Sequence, residues 1–362
     1  MREMQNSEDR VIYVIIPAYN CERYLENSVE SVLSQTNINV RVVIVDDGST
    51  DKTPYMIDIM SGRDKRIGAI HEKNRGVSLA RNAGIEYVLS VAGRQDYIAF
   101  LDADDAWKPD FFDQTILERL NEGADLIGFR VAVCNSGLTK CIRPVDLKEG
   151  EYTGGNKSVW LHATQSFAAM LYSCGFLKRY FIRFMEGLKY SEDKIFSMQC
   201  IYLAGKIILV NRVLYLYRQN DNSAMKARKF GISYYVPIIE AYVKSDAQMQ
   251  KYKNLERGEL DQGNVMAGIY VMDMLAEHFQ KSGCVGEVNK LFENKPLFRE
   301  IYGRELKKKN PRYVEYETKK GLFIIRNRIQ GICSSLIAGM AKVKIVNRLK
   351  QEIRFSMEIE KL

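Results

Sequence analysis

Apolar and polar positions follow two rhythms over the first hundred residues. Residues 11–16 (VIYVII) are a continuous, largely β-branched run stopped by Pro17, and 40–45 (VRVVIV) are nearly a second. Runs of this length, bounded by turn residues, predict strands buried on both faces. Shorter runs at 67–70 and 97–101 predict two more. Between them apolar residues return at helical spacing: Tyr24, Leu25, Val29, Val32 and Leu33 within 22–35, then 53–62, then 78–91. Thr50 or Asp51 is placed to cap the second of these helices. Alternating strands and helices, with continuously apolar strands, predict an α/β fold whose parallel sheet is covered on both faces.

Beyond residue 150 the rhythm changes. Residues 148–158 (KEGEYTGGNKS) read as a glycine-rich loop, 160–183 as mostly helical, and 207–210 and 213–217 as two short strands. From about residue 226 helix dominates, at 232–251, 259–281, 285–292 and from about 318 onward. The expected organisation is a tail over 1–9, an α/β domain over 10–225 and a helical region over 226–362.

The polar clusters fall where the predicted strands end. PAYN follows the first strand, DDGSTD the second and DADD the fourth. Ligands of open α/β sheets bind at these carboxyl ends, so pattern and chemistry indicate one site. Asp46, Asp47, Asp51, Asp102, Asp104 and Asp105 put six acids along one edge. Like charges so close raise one another's pKa unless something compensates. Three carboxylates within four residues at a strand end form a hard-oxygen donor set suited to Mg²⁺ or Mn²⁺. The bland reading is an acidic loop ahead of a helix starting near Pro109 and Asp110.

Composition narrows the class. The 362 residues, 46% apolar and 27% charged, describe a globular chain with a substantial core. Seven scattered cysteines, none in a CxxC pair, point to a reducing compartment and away from a disulfide framework or thiolate metal site. Three histidines without ligand spacing point away from a histidine-based zinc site. The first ten residues lack an apolar signal core and no transmembrane helix is read from the chain, so a cytoplasmic protein is expected. Of the net charge of +8, residues 304–350 supply +10 and the rest −2. Ile325, Ile329, Ile332, Leu336, Met340 and Val343 form an apolar stripe there among lysines and arginines. A basic amphipathic helix is a membrane-surface signature, which predicts peripheral docking on an anionic inner leaflet through 304–350. The alternative is a stripe packed on the first domain with its charges solvated.

Six segments in consistent order carry a resemblance. IIPAYN (15–20), VVIVDDGSTDKT (42–53), NRGVSLARNAGI (74–85), AFLDADD (99–105), IRFMEGLKYSEDKIF (182–196) and LYLYRQNDNS (214–223) resemble the signature of inverting family 2 glycosyltransferases with the GT-A fold. The resemblance covers about residues 10–225 and none of the C-terminal third. It implies a Rossmann-like mixed, mostly parallel sheet, a nucleotide-diphosphate sugar donor, commonly a UDP-sugar, and a glycan or lipid-linked acceptor in surface polysaccharide synthesis. It also implies roles. Pro17, Tyr19 and Asn20 would line the nucleotide pocket, with the Tyr19 ring against the base. Asp47 would accept from a uracil N–H, leaving Asp46 to cap or to hold an arginine. Arg81 would face these acids or phosphate. Asp104 or Asp102 would lie toward ribose and metal, and Asp105 or Asp104 would ligate the Mn²⁺ or Mg²⁺ directly. Asp193 would be the base that deprotonates the acceptor hydroxyl, with Glu192 supporting it or contacting the acceptor. Arg218, with Ser223, would close over the diphosphate. The bland counterparts are a bare turn at 17–20, a surface arginine at 81, a helix start capped by Ser191, and a surface loop at 218–223. Trp160 fits a core tryptophan better than an acceptor pocket.

Two other classes compete. A sugar nucleotidyltransferase would need a glycine-rich basic loop after the first strand, where PAYNCERY has no glycine. A catalytically silent nucleotide-sugar or anionic-surface binding protein would have no use for intact DADD and SED segments. A nucleic-acid partner is not expected.

Overall fold

The computed structural model describes residues 10–142, 149–153, 166–188 and 191–219, with positions 238, 241, 245 and 248. The expectations for the tail 1–9, Trp160, Ser223, the helices beyond 226 and the basic stretch 304–350 lie outside the described residues. The chain divides into two compact units, one of residues 1–157 and 164–227, the other of 158–163 and 228–362. All the elements below belong to the first unit. Among the described residues, no helix is long and apolar enough to cross a membrane.

Four parallel strands start the sheet: β1 (Val11–Ala18), β2 (Asn39–Asp46), β3 (Ile67–His71) and β4 (Tyr97–Phe100). β1 lies between β2 and β4, and β3 is the edge. The remaining strands are β5 (Ala106–Trp107), β6 (Leu126–Cys134), β7 (Cys141–Ile142), β8 (Gly150–Tyr152), β9 (Met170–Ser173) and β10 (Ile207–Arg218). Their order, β3-β2-β1-β4-β9-β6-β10-β5, places β9 antiparallel between β4 and β6. β10 runs parallel to β6 and antiparallel to β5 and β8. The sheet is therefore mixed, and its long pairings, β1–β2, β2–β3, β1–β4 and β6–β10, are parallel, so most of its paired residues run that way. Six helices accompany it among the described residues: α1 (Leu25–Leu33), α2 (Thr53–Arg63), α3 (Val77–Val91), α4 (Gln114–Asn121), α5 (Cys174–Tyr180) and α6 (Glu192–Leu203).

The first four strands and three helices lie where the hydrophobic rhythm places them. Asp51 Oδ1 accepts from Thr53 N at 2.9 Å and so serves the start of α2. Departures follow where pattern is ambiguous. The stretch read as helical at 160–183 contains β9 in mid-sheet, because a short apolar run such as MLYS fits a buried strand and a buried helix equally. The two strands read at 207–217 are the single strand β10, whose register against β6 slips between Leu209 and Val213 and again between Val213 and Tyr215. Gly150–Tyr152, read as loop, is β8. The helix expected near Pro109 starts at Gln114, where Asp113 accepts from Ile116 N at 3.2 Å. Cys134 and Cys141, read as reduced, are joined in a disulfide, having been brought opposite each other across β6–β7.

α3 packs on β1 through Gly84, where an added Cβ would lie 2.5 Å from Cγ2 of the fully buried Ile15. Gly84→Ala gains about 1 kcal/mol of helix propensity, but overpacking a fixed core side chain costs about 1–3 kcal/mol. A lower melting temperature is expected for this variant; a higher one would show that the helix rides off the sheet without penalty.

At the edge strand, His71 pairs in register with Asp46. Its Nδ1 lies 3.1 Å from Asp46 Oδ2 and its Nε2 3.2 Å from Asp58 Oδ1. Burial works against the imidazolium, but the two carboxylate hydrogen bonds outweigh it and raise the pKa above its ordinary value. The stabilisation is thus complete below about pH 6.5 and fades as pH rises through the raised value. Thermal melts of His71→Leu should fall below wild type at about pH 6, with the gap narrowing toward about pH 8.5. A gap independent of pH would remove the charge from this account.

Candidate active site

The loop after β1 is sewn to the loop after β2. Asn20 N donates to Ser49 Oγ (3.0 Å), and Asn20 Oδ1 accepts from Thr50 N (2.8 Å). Cys21 N donates to Thr53 Oγ1, Glu22 N to Asp51 Oδ2, and Lys52 N to Glu22 Oε2. Asn20 takes a left-handed conformation (φ 48°) to make this join, and its side-chain carbonyl serves the loop rather than an open pocket. Pro17 is the penultimate residue of β1. Tyr19, 52% exposed, turns its ring outward beside this junction.

The adjacent acids Asp46 and Asp47 are both buried, and internal donors meet them. Asp46 accepts from Ser49 N at 3.0 Å and pairs with His71, a histidine in place of the expected arginine. Asp47 accepts from Arg75 N (2.7 Å) and Gly76 N (2.9 Å), one bond to each oxygen. Asp47 therefore fixes the entry to α3. Gly48 (φ 71°) passes so close to that entry that a Cβ would sit 2.6 Å from Asn74 N.

The acidic loop after β4 splits in two directions. Asp102 and Asp104 are half-buried, whereas Asp105 is wholly buried. Asp105 Oδ2 accepts from the Tyr215 hydroxyl (2.6 Å) and Oδ1 from Arg218 N (2.7 Å). Burial, then the neighbouring Asp102 and Asp104 charges, push its carboxyl well above the usual range. Asp105, expected as a possible metal ligand, thus faces the interior and braces the loop. Tyr215 also accepts from Asp102 N at 3.2 Å, and the Ser28 hydroxyl lies 2.8 and 2.6 Å from the Ala103 and Asp105 carbonyl oxygens.

Arg218, expected on a surface loop closing over phosphate, is instead the buried last residue of β10. Its guanidinium donates to the carbonyls of Asp104 and Ser136 and, at 2.9 Å, to Asn27 Oδ1, and it lies 4.8 Å from the Tyr24 ring centre. It locks three segments together around the acidic loop.

The Glu–Asp pair opens α6. Ser191 before it is left-handed (φ 64°) and makes no side-chain cap, contrary to the capping expected of it. Glu192 is largely buried and Asp193 half-buried. Arg81, 5% exposed, reaches both acid groups: Nη2 lies 3.0 Å from Asp102 Oδ1 and Nη1 3.1 Å from Glu192 Oε1. Burial opposes the guanidinium charge, but Asp102, Glu192 and Asp193 more than restore it. Burial raises the Glu192 pKa, against the pull of Arg81. Of the two partners expected for Arg81, the structure supplies the acids.

The structure thus gathers Asp102, Asp104, Arg81, Glu192 and Asp193 at one place and turns Asp105 and Arg218 inward. Asp102 and Asp104, both half-exposed, are the oxygen donors of this loop that could hold a divalent cation together with phosphate oxygens. No cluster of three His, Cys, Asp or Glu suited to a metal occurs among the described residues. Reading the sequence missed the bracing roles of Tyr215, Ser28, Asn27 and Asn82. These are contacts between segments up to 191 residues apart, for which a single sequence carries no local sign.

Comparisons with known proteins bear on the family and the fold. The family model of Glycosyl transferase family 2 matches residues 13–181. The uncharacterized glycosyltransferase EpsJ of Bacillus subtilis (strain 168) is 30% identical over 232 residues, 59% of this chain and 62% of the relative, so the chain spans under two thirds of its length. The succinoglycan biosynthesis protein ExoO of Rhizobium meliloti (strain 1021) is 28% identical over 246 residues, 64% of this chain and 67% of that one. In fold, the chain is similar to S. aureus TarS 1-349, solved in complex with UDP-GlcNAc, with a TM-score of 0.59 and 22% identity over 83% of this chain and 82% of that one. The family match runs through four of the six motifs, those within residues 13–181, and the sheet that carries them is GT-A-like, so over this part the chain resembles glycosyl transferase family 2.

Proposed function

We propose that the protein is an inverting glycosyltransferase that moves a sugar from a UDP-sugar to a hydroxyl of a glycan or lipid-linked oligosaccharide in surface polysaccharide synthesis. The observation that carries this reading is the meeting of Asp102 and Glu192 on the one guanidinium of Arg81, which brings the acidic loop beside the Glu–Asp pair. A donor diphosphate would lie at the half-exposed Asp102 and Asp104, with Pro17 and the outward Tyr19 ring toward the base. TarS, bound to UDP-GlcNAc, is a fold neighbour that supports this donor class. The name of ExoO supports the polysaccharide setting.

Inversion requires the acceptor oxygen to attack the anomeric carbon from the face opposite the diphosphate, through an oxocarbenium-like transition state. Asp193, half-exposed at the start of α6, takes the hydroxyl proton as the new C–O bond forms. The old C–O bond breaks, and its electron pair leaves with the nucleoside diphosphate. Glu192, held by Arg81, keeps the helix start in place. Asp102 and Asp104 would hold the Mn²⁺ or Mg²⁺, which when bound supplies Lewis-acid stabilisation of the leaving diphosphate.

The expected result with a panel of UDP-glucose, UDP-galactose and UDP-N-acetylglucosamine in MnCl₂ is UDP release from one donor, reduced about 10²-fold or more in Asp193→Asn, as for loss of a general base. UDP binding without turnover of any donor would favour a silent binding protein; no UDP binding would remove the nucleotide assignment.

The basic stretch 304–350, with its apolar stripe, supports docking on an anionic membrane surface where lipid-linked acceptors are held. The full chain should float with phosphatidylglycerol vesicles, and removal of residues 304–362 should abolish flotation. Equal flotation of both forms would place the membrane contact elsewhere.

A further inference from the structure

Arg81 and Asn82 are consecutive residues of α3, both buried, and each grips the segment that leads into the Glu–Asp pair. The Asn82 amide pairs with the main chain of Phe184, donating Nδ2–H to Phe184 O (2.9 Å) and accepting Phe184 N–H (2.8 Å). Phe184 stacks on Phe196 of α6 with centroids 4.0 Å apart. Arg81 then binds Glu192 at the start of that helix, while its other arm binds Asp102. Its guanidinium lies 4.3 Å from the Phe167 ring centre and 5.2 Å from that of Phe184. Among the described residues its Nε has no partner. A fully desolvated cation with one unanswered donor is a costly thing to bury, and removing either carboxylate would cost more.

We infer that Arg81 is a positioning residue that sets the distance between the donor side of the site, at Asp102, and the acceptor side, at Glu192 and Asp193. This rests on the transferase reading and adds to it a mechanical link between the two half-sites. The link requires an arginine. A planar fork reaches two carboxylates at once and lies flat between aromatic faces, whereas a lysine ammonium is a point charge on a flexible stem. Substitution should therefore disturb the relative placement of donor and acceptor groups while leaving the nucleotide-side loops intact, since those are held by Asp46, Asp47, Asn20 and Arg218.

The test uses the full-length chain with the UDP-sugar that wild type hydrolyses, and UDP itself as binding probe, both in MnCl₂. Arg81→Lys should lower kcat about 10-fold and Arg81→Gln about 10²-fold, the scale of loss for a displacement of about 1 Å between reacting groups. Donor KM and UDP affinity should stay within about 3-fold of wild type, as expected when nucleotide contacts persist. Arg81→Lys keeps the buried charge, and its melting temperature guards against reading misfolding as loss of function; if Arg81→Gln does not fold, the lysine variant decides. Wild-type kcat in Arg81→Lys would overturn the inference, because bridging would then be unnecessary. A fall in UDP affinity in step with kcat would also overturn it, returning Arg81 to the nucleotide. A wild-type chain that hydrolyses none of the donors would remove the transferase reading itself, and this inference with it.

Discussion

Six carboxylates at the ends of β2 and β4 repel one another, and the architecture of this edge follows from how that repulsion is met. Each strand end answers it differently. At β2 the donors are main-chain N–H groups: Ser49 for Asp46, Arg75 and Gly76 for Asp47, Thr53 and Glu22 for Asp51. A carboxylate that accepts backbone N–H bonds is stabilised as an anion and in turn fixes the chain that supplies them. The two aspartates side by side in VVIVDDGSTDKT thus need no bound ligand to be tolerated. They shape the loop and the start of α3.

At β4 the donors come from distant parts of the chain, two of them side chains. Tyr215 and the Arg218 main chain hold Asp105, and Arg81 holds Asp102. The acidic loop is clamped from the β10 side by Tyr215 and Arg218 and from the α1 side by Ser28, while Asn27 of α1 holds Arg218. This is preorganisation: the cost of gathering like charges is met in folding, which sets the half-exposed Asp102 and Asp104 in place.

The first hundred residues were legible because their strands are continuously apolar and their helices amphipathic, so period alone separates them. β9 and α6 were harder for a shared reason: α6 is buried from Ile195 to Leu203 and β9 lies in mid-sheet, and elements buried all round have no polar face to betray their period. Asp102, Asp104, Glu192 and Asp193 were legible as a site because acids at strand ends and helix starts stand out against apolar neighbours. Orientation was not. Nothing local distinguishes Asp105 from Asp104 in DADD; what turns one inward is Tyr215, 110 residues away. Arg218 was given to the diphosphate by the resemblance, on a segment read as a flexible polar loop, whereas parallel pairing of β10 with β6 carries the strand through it. The Cys134–Cys141 bond escaped for the same reason, as it depends on a register and not on a spacing motif.

The two acids that open α6 are neighbours in sequence with different fates, and helix geometry explains why. Successive residues on an α-helix point about 100° apart, so a helix that commits Glu192 inward to Arg81 must aim Asp193 elsewhere. Both anions benefit from the helix N-terminus. What selects the rotation of that first turn is the ion pair on one side and Ser191 on the other. A left-handed serine costs of order 1–3 kcal/mol and persists only where its surroundings over-determine it. Here the surroundings are the Arg81–Glu192 pair, the Asn82 grip on Phe184 and the Phe184–Phe196 stack, all of which fix the path into the helix. Strain at Ser191 is therefore the local counterpart of the buried arginine: one turns the chain sharply and the other holds the result, leaving Asp193 as the acid of the pair turned to the half-exposed side.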